Sequence, residues 1–192
     1  MSRISAAGEG AVFVAADFFD LGQKDTVYKA LLRLAEDGTL QRPMRGLYLY
    51  PEYSRVLGKS LTARPERMAE ALARNYNWTI SPYGETALNQ LGLSAQVPAV
   101  YQYVSDGPNK SYAYGNFQIV FTHRANRETT HLSPKTRLAI HALKALGKDS
   151  VDGSVVERLS SVLTDEDKQS LLKETQYSSS WIHDIAKDMS RE

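Results

Sequence analysis

From Gln23 to Glu36 the apolar residues Val27, Ala30, Leu31 and Leu34 recur at i, i+3, i+4 and i+7, the spacing that draws one apolar stripe along a helix. Asp25, Lys29, Arg33 and Glu36 fall on the opposite arc, with Thr26 and Tyr28 at its flanks and Gln23 and Lys24 at the helix entry. Asp37-Gly38 stops the helix by supplying a residue suited to the left-handed conformation. Thr39-Leu40-Gln41-Arg42 and Leu47-Tyr48-Leu49-Tyr50 then alternate like strands, and Pro43-Met44-Arg45-Gly46 between them has turn chemistry with glycine at its end. Upstream, residues 11–14 read as a short strand and 17–21 as a brief helix closing on Gly22, and a first turn over 2–7 would complete a three-helix core.

A helix followed at once by a hairpin with arginines beside its turn is the outline of a winged helix-turn-helix, in which the helix enters a major groove and the wing reaches the backbone. Groove contacts come mainly from the first turns of such a helix. The candidate DNA-binding residues are therefore Gln23, Lys24, Asp25, Thr26, Tyr28, Lys29 and Arg33 on the helix, with Arg42 and Arg45 on the wing. The same pattern also fits an ordinary α+β domain whose exposed helix face is simply solvated. Charge does not separate the two readings, because residues 1–50 hold six Lys or Arg against six Asp or Glu. A DNA site here must be a local patch rather than a basic domain.

Residues 53–64 contain Gly, Ser and several polar residues, and they read as a linker between a domain at 1–52 and a second at 65–192. Pro65 opens a helix carrying Met68, Ala71, Leu72 and Tyr76. A short strand over 78–80 and a helix over 83–91 follow, then β-rich runs at 98–104 and 117–122, with a turn at 106–109 and a middle strand at 111–114. Helices are expected at 134–146, 151–163, 165–173 and 179–188. The fold class is thus α+β, a winged helix-turn-helix and then a small α+β domain with a helical C-terminal region. Tyr101, Tyr103, Tyr112 and Tyr114 lie at alternate positions, so each pair shares a sheet face, as core or as an aromatic surface for protein or nucleic acid. Residues 151–192 carry nine acidic and five basic side chains, which either keep a helical tail soluble or dock on a basic enzyme surface.

The 192 residues suffice for two cores, and 42% hydrophobic with 23% charged residues is ordinary for a globular protein. The absence of cysteine excludes disulfides and thiolate metal sites. No apolar run approaches the ~20 residues needed to cross a bilayer, and Met1-Ser2-Arg3 does not open a signal peptide, so a cytoplasmic protein is expected. Gly58-Lys59-Ser60 ends like a phosphate-binding loop, but Tyr53 stands where its first glycine should be. His123, His131, His141 and His183 have no paired ligand spacing, although the first two bracket a loop. Asp165-Glu166-Asp167 reads as an acidic helix start, and Ser178-Ser179-Ser180 as an N-cap before Trp181. No nucleophile has a neighbouring base, so a binding protein without metal or cofactor is expected rather than an enzyme.

Two blocks carry a resemblance. Ala30-Leu31-Leu32-Arg33-Leu34, Asp37-Gly38, Arg42 and Arg45-Gly46-Leu47-Tyr48-Leu49-Tyr50-Pro51 resemble the winged-helix domain of the AbiEi family of antitoxins. Ser81-Pro82-Tyr83-Gly84, Ala87-Leu88 and Leu91-Gly92-Leu93-Ser94-Ala95-Gln96-Val97-Pro98 are similar to the segment that follows the wing there. The resemblance covers about half the chain and extends more weakly to residue 146. It implies an autorepressor that binds inverted repeats in double-stranded DNA of its own promoter, as a homodimer, and acts as antitoxin to a nucleotidyltransferase toxin in phage defence or mobile-element maintenance. Relatives carry a longer first helix before the segment that is here Gly10-Ala11-Val12-Phe13. Alternatives are a winged-helix regulator without a toxin, whose second domain dimerises or senses a ligand, and an enzyme acting on nucleic acid.

Overall fold

A computed structural model describes residues 1–124 and 132–190. The chain forms two compact units, Met1–Thr79 and Ile80–Glu192. The boundary expected at 53–64 thus falls inside the first unit, and the helix opened by Pro65 belongs to the first unit rather than the second.

The first unit runs α1 (Ser2–Ala7), β1 (Val12–Phe13), a 3-10 helix (Ala15–Leu21), α2 (Lys24–Glu36), β2 (Tyr48–Leu49), β3 (Tyr53–Ser54), β4 (Lys59–Ser60) and α3 (Pro65–Tyr76). β1 and β2 are antiparallel, with Val12 opposite Leu49, and Gln41 bridges Leu49 from the other side through two 2.8 Å backbone bonds. Only that bridge remains of the strand expected at 39–42. The reason is local: the Thr39 amide donates to Asp37 Oδ1 at 2.9 Å and the Leu40 amide to the Leu34 carbonyl at 2.8 Å, so both close the end of α2. Ile4, Phe13, Phe18, Val27, Leu31, Leu40 and Tyr48 make the core of the unit. The brief α1 is held by burial of Ile4 and by a two-pronged bond from Arg3 to the Asp20 carboxylate, at 2.7 and 2.6 Å.

Asp17 explains why α3 joins this unit. One carboxylate oxygen accepts from the Val14 amide at 2.9 Å, capping the 3-10 helix, while Arg74 of α3 reaches the two oxygens at 3.1 and 3.2 Å and donates to the Val12 carbonyl at 2.9 Å. Three bonds converge on the Asp17 carboxylate, and a sequence window cannot register an arginine 57 residues away. Asp17→Ala removes the cap and leaves Arg74 without its carboxylate, so a loss of about 2 kcal/mol is expected in urea unfolding. An unchanged midpoint would contradict this hub role.

In the second unit β5 (Ile80–Pro82), β6 (Val100–Ser105), β7 (Lys110–Tyr114) and β8 (Phe117–His123) form one sheet in the order β5-β6-β8-β7. β6 and β8 are parallel and the other neighbours antiparallel. The strand expected in the middle is therefore at the edge, because β8 inserts between β6 and β7. Residues 106–109 span that gap instead of making a hairpin turn, and His123 fastens them: its amide donates to Asn109 Oδ1 at 2.6 Å and its Nδ1 bonds the Gly107 carbonyl at 2.9 Å. The short strand begins at Ile80 rather than 78, since the Trp78 amide closes α3 on the Ala73 carbonyl after left-handed Asn77. Tyr101 and Tyr103 are buried and Tyr112 and Tyr114 half-buried, with rings edge-on or tilted to Phe117 and Phe121, so the tyrosines pack rather than form a free aromatic surface.

The helices α4 (Glu85–Gln90), α5 (Pro134–Leu146), α6 (Gly153–Val162), α7 (Asp165–Glu174) and α8 (Ser180–Met189) lie close to the spans the pattern predicts. Leu138, Ala139, Ile140, Ala142 and Leu143 bury most of α5, and Leu91, Leu159, Leu171 and Ile182 from the other helices meet it. Thr164 and Asp167 form a reciprocal capping box, which accounts for the acidic start of α7. Ser179 sits at the N-cap of α8 as expected but makes no side-chain cap bond. Gly92 takes a φ of +64° after α4, where an added Cβ would collide with the Arg158 guanidinium. Gly92→Ala is therefore expected to lower stability by about 1–2 kcal/mol, read as a fall in melting temperature.

Candidate nucleic-acid interface

All nine predicted residues are exposed, but the structure divides them into three groups. Val27 and Leu31 turn α2 toward the core, which places Asp25, Lys29 and Arg33 on the arc facing away from it and Thr26 at its flank, on the side of Ile4 and Leu31. Lys24 and Tyr28 are drawn to one flank. The Lys24 ammonium stands 5.2 Å from the centre of the Phe19 ring, and Tyr28 meets the same ring edge-on at 6.0 Å. These two brace α2 against the preceding 3-10 helix as well as lying near its entry. Gln23 is the N-cap residue and makes no side-chain cap bond. On the hairpin, the Arg42 guanidinium lies 5.7 Å from the Tyr48 ring centre, and Arg45 precedes Gly46, whose φ is +86°.

The even charge count of the first 50 residues conceals a local imbalance. Asp17 and Asp20 are committed to Arg74 and Arg3, and the hydrogen bond from Arg3 holds the Asp20 carboxyl below its ordinary value. Asp37 is likewise held low by its bond from Thr39 at the end of α2. Lys24, Lys29, Arg33, Arg42 and Arg45 then stand against three acids of the helix and hairpin, Asp25, Glu36 and the ionised Asp37. The first of these acids stands in the first turn, where it favours the helix dipole.

A second basic element went unread in the sequence. β3 and β4 pair antiparallel, with Tyr53 opposite Ser60 and Ser54 opposite Lys59. Their hairpin exposes Val56 at 95% and Leu57 at 60% between Arg55 and Lys59. Two-residue strands give no alternation to detect, and the one available signal was Gly58, at a φ of +61° in the turn. The same geometry places Gly58-Lys59-Ser60 in a hairpin, not in the strand-to-helix loop a phosphate cradle needs.

The histidines hold structure together. His141 Nδ1 lies 2.8 Å from the Pro82 carbonyl and so carries its proton there, which prevents it from serving as a base for Ser81 Oγ at 3.3 Å. The Thr175 hydroxyl donates to the Leu171 carbonyl at 2.6 Å and accepts from His183 Nδ1 at 3.1 Å. His131 lies outside the described residues. Among the described residues no group of three or more His, Asp and Glu side chains is placed to hold a metal ion, and no helix is long and apolar enough to cross a membrane.

A family model described as a family of unknown function, DUF6088, matches residues 1–171. The chain belongs to DUF6088. The DUF6088 match spans α2, both hairpins and the four-stranded sheet, and it ends inside α7. No curated protein matches the sequence. Among solved structures, this DUF6088 chain is similar to the crystal structure of the RV2827C protein from Mycobacterium tuberculosis, at 17% identity and a TM-score of 0.41, over 99% of this chain and 76% of that one.

Proposed function

We propose that the first unit is a winged-helix DNA-binding module, and that the protein represses its own promoter as the antitoxin of a nucleotidyltransferase toxin. The observation that carries the DNA-binding reading is the placement of Lys29 and Arg33 on the outward arc of α2 and of Arg42 and Arg45 on the hairpin that follows, all exposed, with Asp17 and Asp20 neutralised elsewhere. Thr26 and Gln23 add neutral donors and acceptors near the helix entry, the part of a recognition helix that meets base edges. Lysine and arginine contacts to phosphate would supply most of the affinity. The antitoxin part rests on the resemblance of residues 45–51 and 91–98 to AbiEi-type regulators. Binding of a homodimer to inverted repeats and location in the cytoplasm belong to the same proposal.

The test is a mobility shift with the protein's own promoter across a salt series. With about four phosphate contacts, log affinity should fall linearly with log salt at a slope of about −3 to −4. No shift at micromolar protein, or one that ignores salt, would refute DNA binding. Co-expression with a nucleotidyltransferase-like protein encoded beside it should restore growth. Unrelieved toxicity would remove the antitoxin assignment and leave the DNA reading standing.

A further inference from the structure

In the second unit, α6 and α8 pack together and leave between their outer faces a groove of about 570 Å³. Its floor is apolar: Val151, Val156, Trp181 and Ile185 rest on the helical core yet stay partly exposed to the groove. Its rim is acidic, with Asp152, Glu157, Asp184 and Asp188 against the one cation Lys148 among the lining residues, while Lys187, outside the lining, makes an exposed pair with Asp184 at 3.6 Å that a partner's cation would have to displace. On α8 the two properties run as parallel stripes, Trp181 with Ile185 and Asp184 with Asp188, each at i, i+4 spacing. Asp152 already accepts from Ser154 Oγ at 2.6 Å and from the Val155 amide at 3.1 Å, bonds that favour its ionised form.

We infer that this groove docks a basic amphipathic helix of a partner protein, its apolar stripe seated on Trp181 and Ile185 and its lysines or arginines facing Asp184, Asp188 and Glu157. Charge selects this occupant. Nucleic acid or an acidic helix would meet the carboxylate rim with like charge. A two-fold dimer through the groove would set each acidic rim against its own copy, since the same patch appears on both sides of such an interface. α8 is 10 residues long, so at about 1.5 Å per residue the groove suits a helix of two to three turns. α8 also lies beyond residue 171, outside the matched family segment.

Trp181 provides the readout. In the full chain with Trp78→Phe it is the remaining tryptophan, and its emission can be followed while a designed helical peptide of about 14 residues is added, leucines on one face and lysines on the other. Controls are a permuted peptide of the same composition without an apolar stripe and a leucine/glutamate counterpart. Anisotropy of the labelled peptide with the unaltered protein gives a second measurement that does not depend on the tryptophan change. The expected result is a saturable blue shift, binding at least ~10-fold tighter than either control, and loss of that advantage in the Asp184→Lys, Asp188→Lys double variant, whose sites are exposed and whose circular dichroism and unfolding midpoint are measured alongside, since Asp184 gives up its surface pair with Lys187. Equal binding of the permuted peptide, no effect of charge reversal, or a Trp181 shift caused by DNA would overturn the inference. So would self-association of the protein that the double variant abolishes, which would make a second copy the occupant. The inference stands apart from the DNA-binding proposal: failure of the promoter shift leaves it untouched, and failure of the peptide leaves the promoter reading untouched.

Discussion

Lys29→Ala combined with Arg45→Ala is expected to weaken binding to the protein's own promoter by about 10- to 100-fold, roughly 1–3 kcal/mol in total. Each side chain is exposed, one on the outward arc of α2 and the other beside the hairpin turn, and neither has a place in the core. Folding stability should therefore stay within about 0.5 kcal/mol of wild type. Loss of two phosphate contacts should also flatten the salt dependence by about two units of slope. Lys144→Ala with Lys173→Ala removes two exposed cations from the second unit and should leave promoter affinity unchanged. Wild-type affinity in the Lys29, Arg45 variant would sink the assigned surface even if the protein binds DNA, whereas equal losses in both double variants would reduce the effect to net charge.

Leu31→Ala should act in the opposite order, first on the fold and only then on binding. Leu31 is 3% exposed in the cluster that contains Ile4, Phe13, Phe18 and Tyr48, on the face where α2 packs against the 3-10 helix. Truncation to alanine removes apolar contact and leaves a cavity that the small unit fills only in part, at a cost of about 3 kcal/mol. Chemical unfolding followed by circular dichroism should show that loss. Binding at temperatures where the unit stays folded should be near normal, because no exposed residue has changed. A loss below about 1 kcal/mol would show that the core around α2 is looser than its burial indicates.

The helices were legible because each carries its own evidence. Val27, Leu31 and Leu34 mark the inner face of α2 within eight residues, Pro65 and Pro134 stand at first helical positions, and the Thr164, Asp167 box lies within one turn. The proposed DNA contacts on α2 were legible as exposed positions for the same reason, since the face opposite an apolar stripe is solvated, and Arg42 and Arg45 as cations beside a turn. Their division was not. That Lys24 and Tyr28 lean on Phe19 while Lys29 and Arg33 face outward depends on where the 3-10 helix packs, and periodicity is blind to that.

The parts that stayed hidden share a physical cause, because each depends on residues brought together from distant points of the chain. Strand pairing is one case: nothing local to 111–114 says that β8 will enter between β6 and β7, yet that insertion sends β7 to the edge and calls on His123 to tie the crossing loop. The unit boundary is another. Residues 53–64 look like a linker by composition, but the Arg74 bonds to Asp17 and Val12 make α3 part of the first unit. Charge is the third: the helix and hairpin hold five cations against three acids, and that Asp17 of the preceding 3-10 helix is neutralised by Arg74 follows only from the packing of α3. The sequence by itself determined which residues form helices, which faces are apolar and which cations are exposed, because those properties repeat at short range. Tertiary structure alone decided which acids are neutralised, how the sheet is ordered and that α6 and α8 enclose an acid-rimmed apolar groove, because each follows from pairing between elements far apart in the chain.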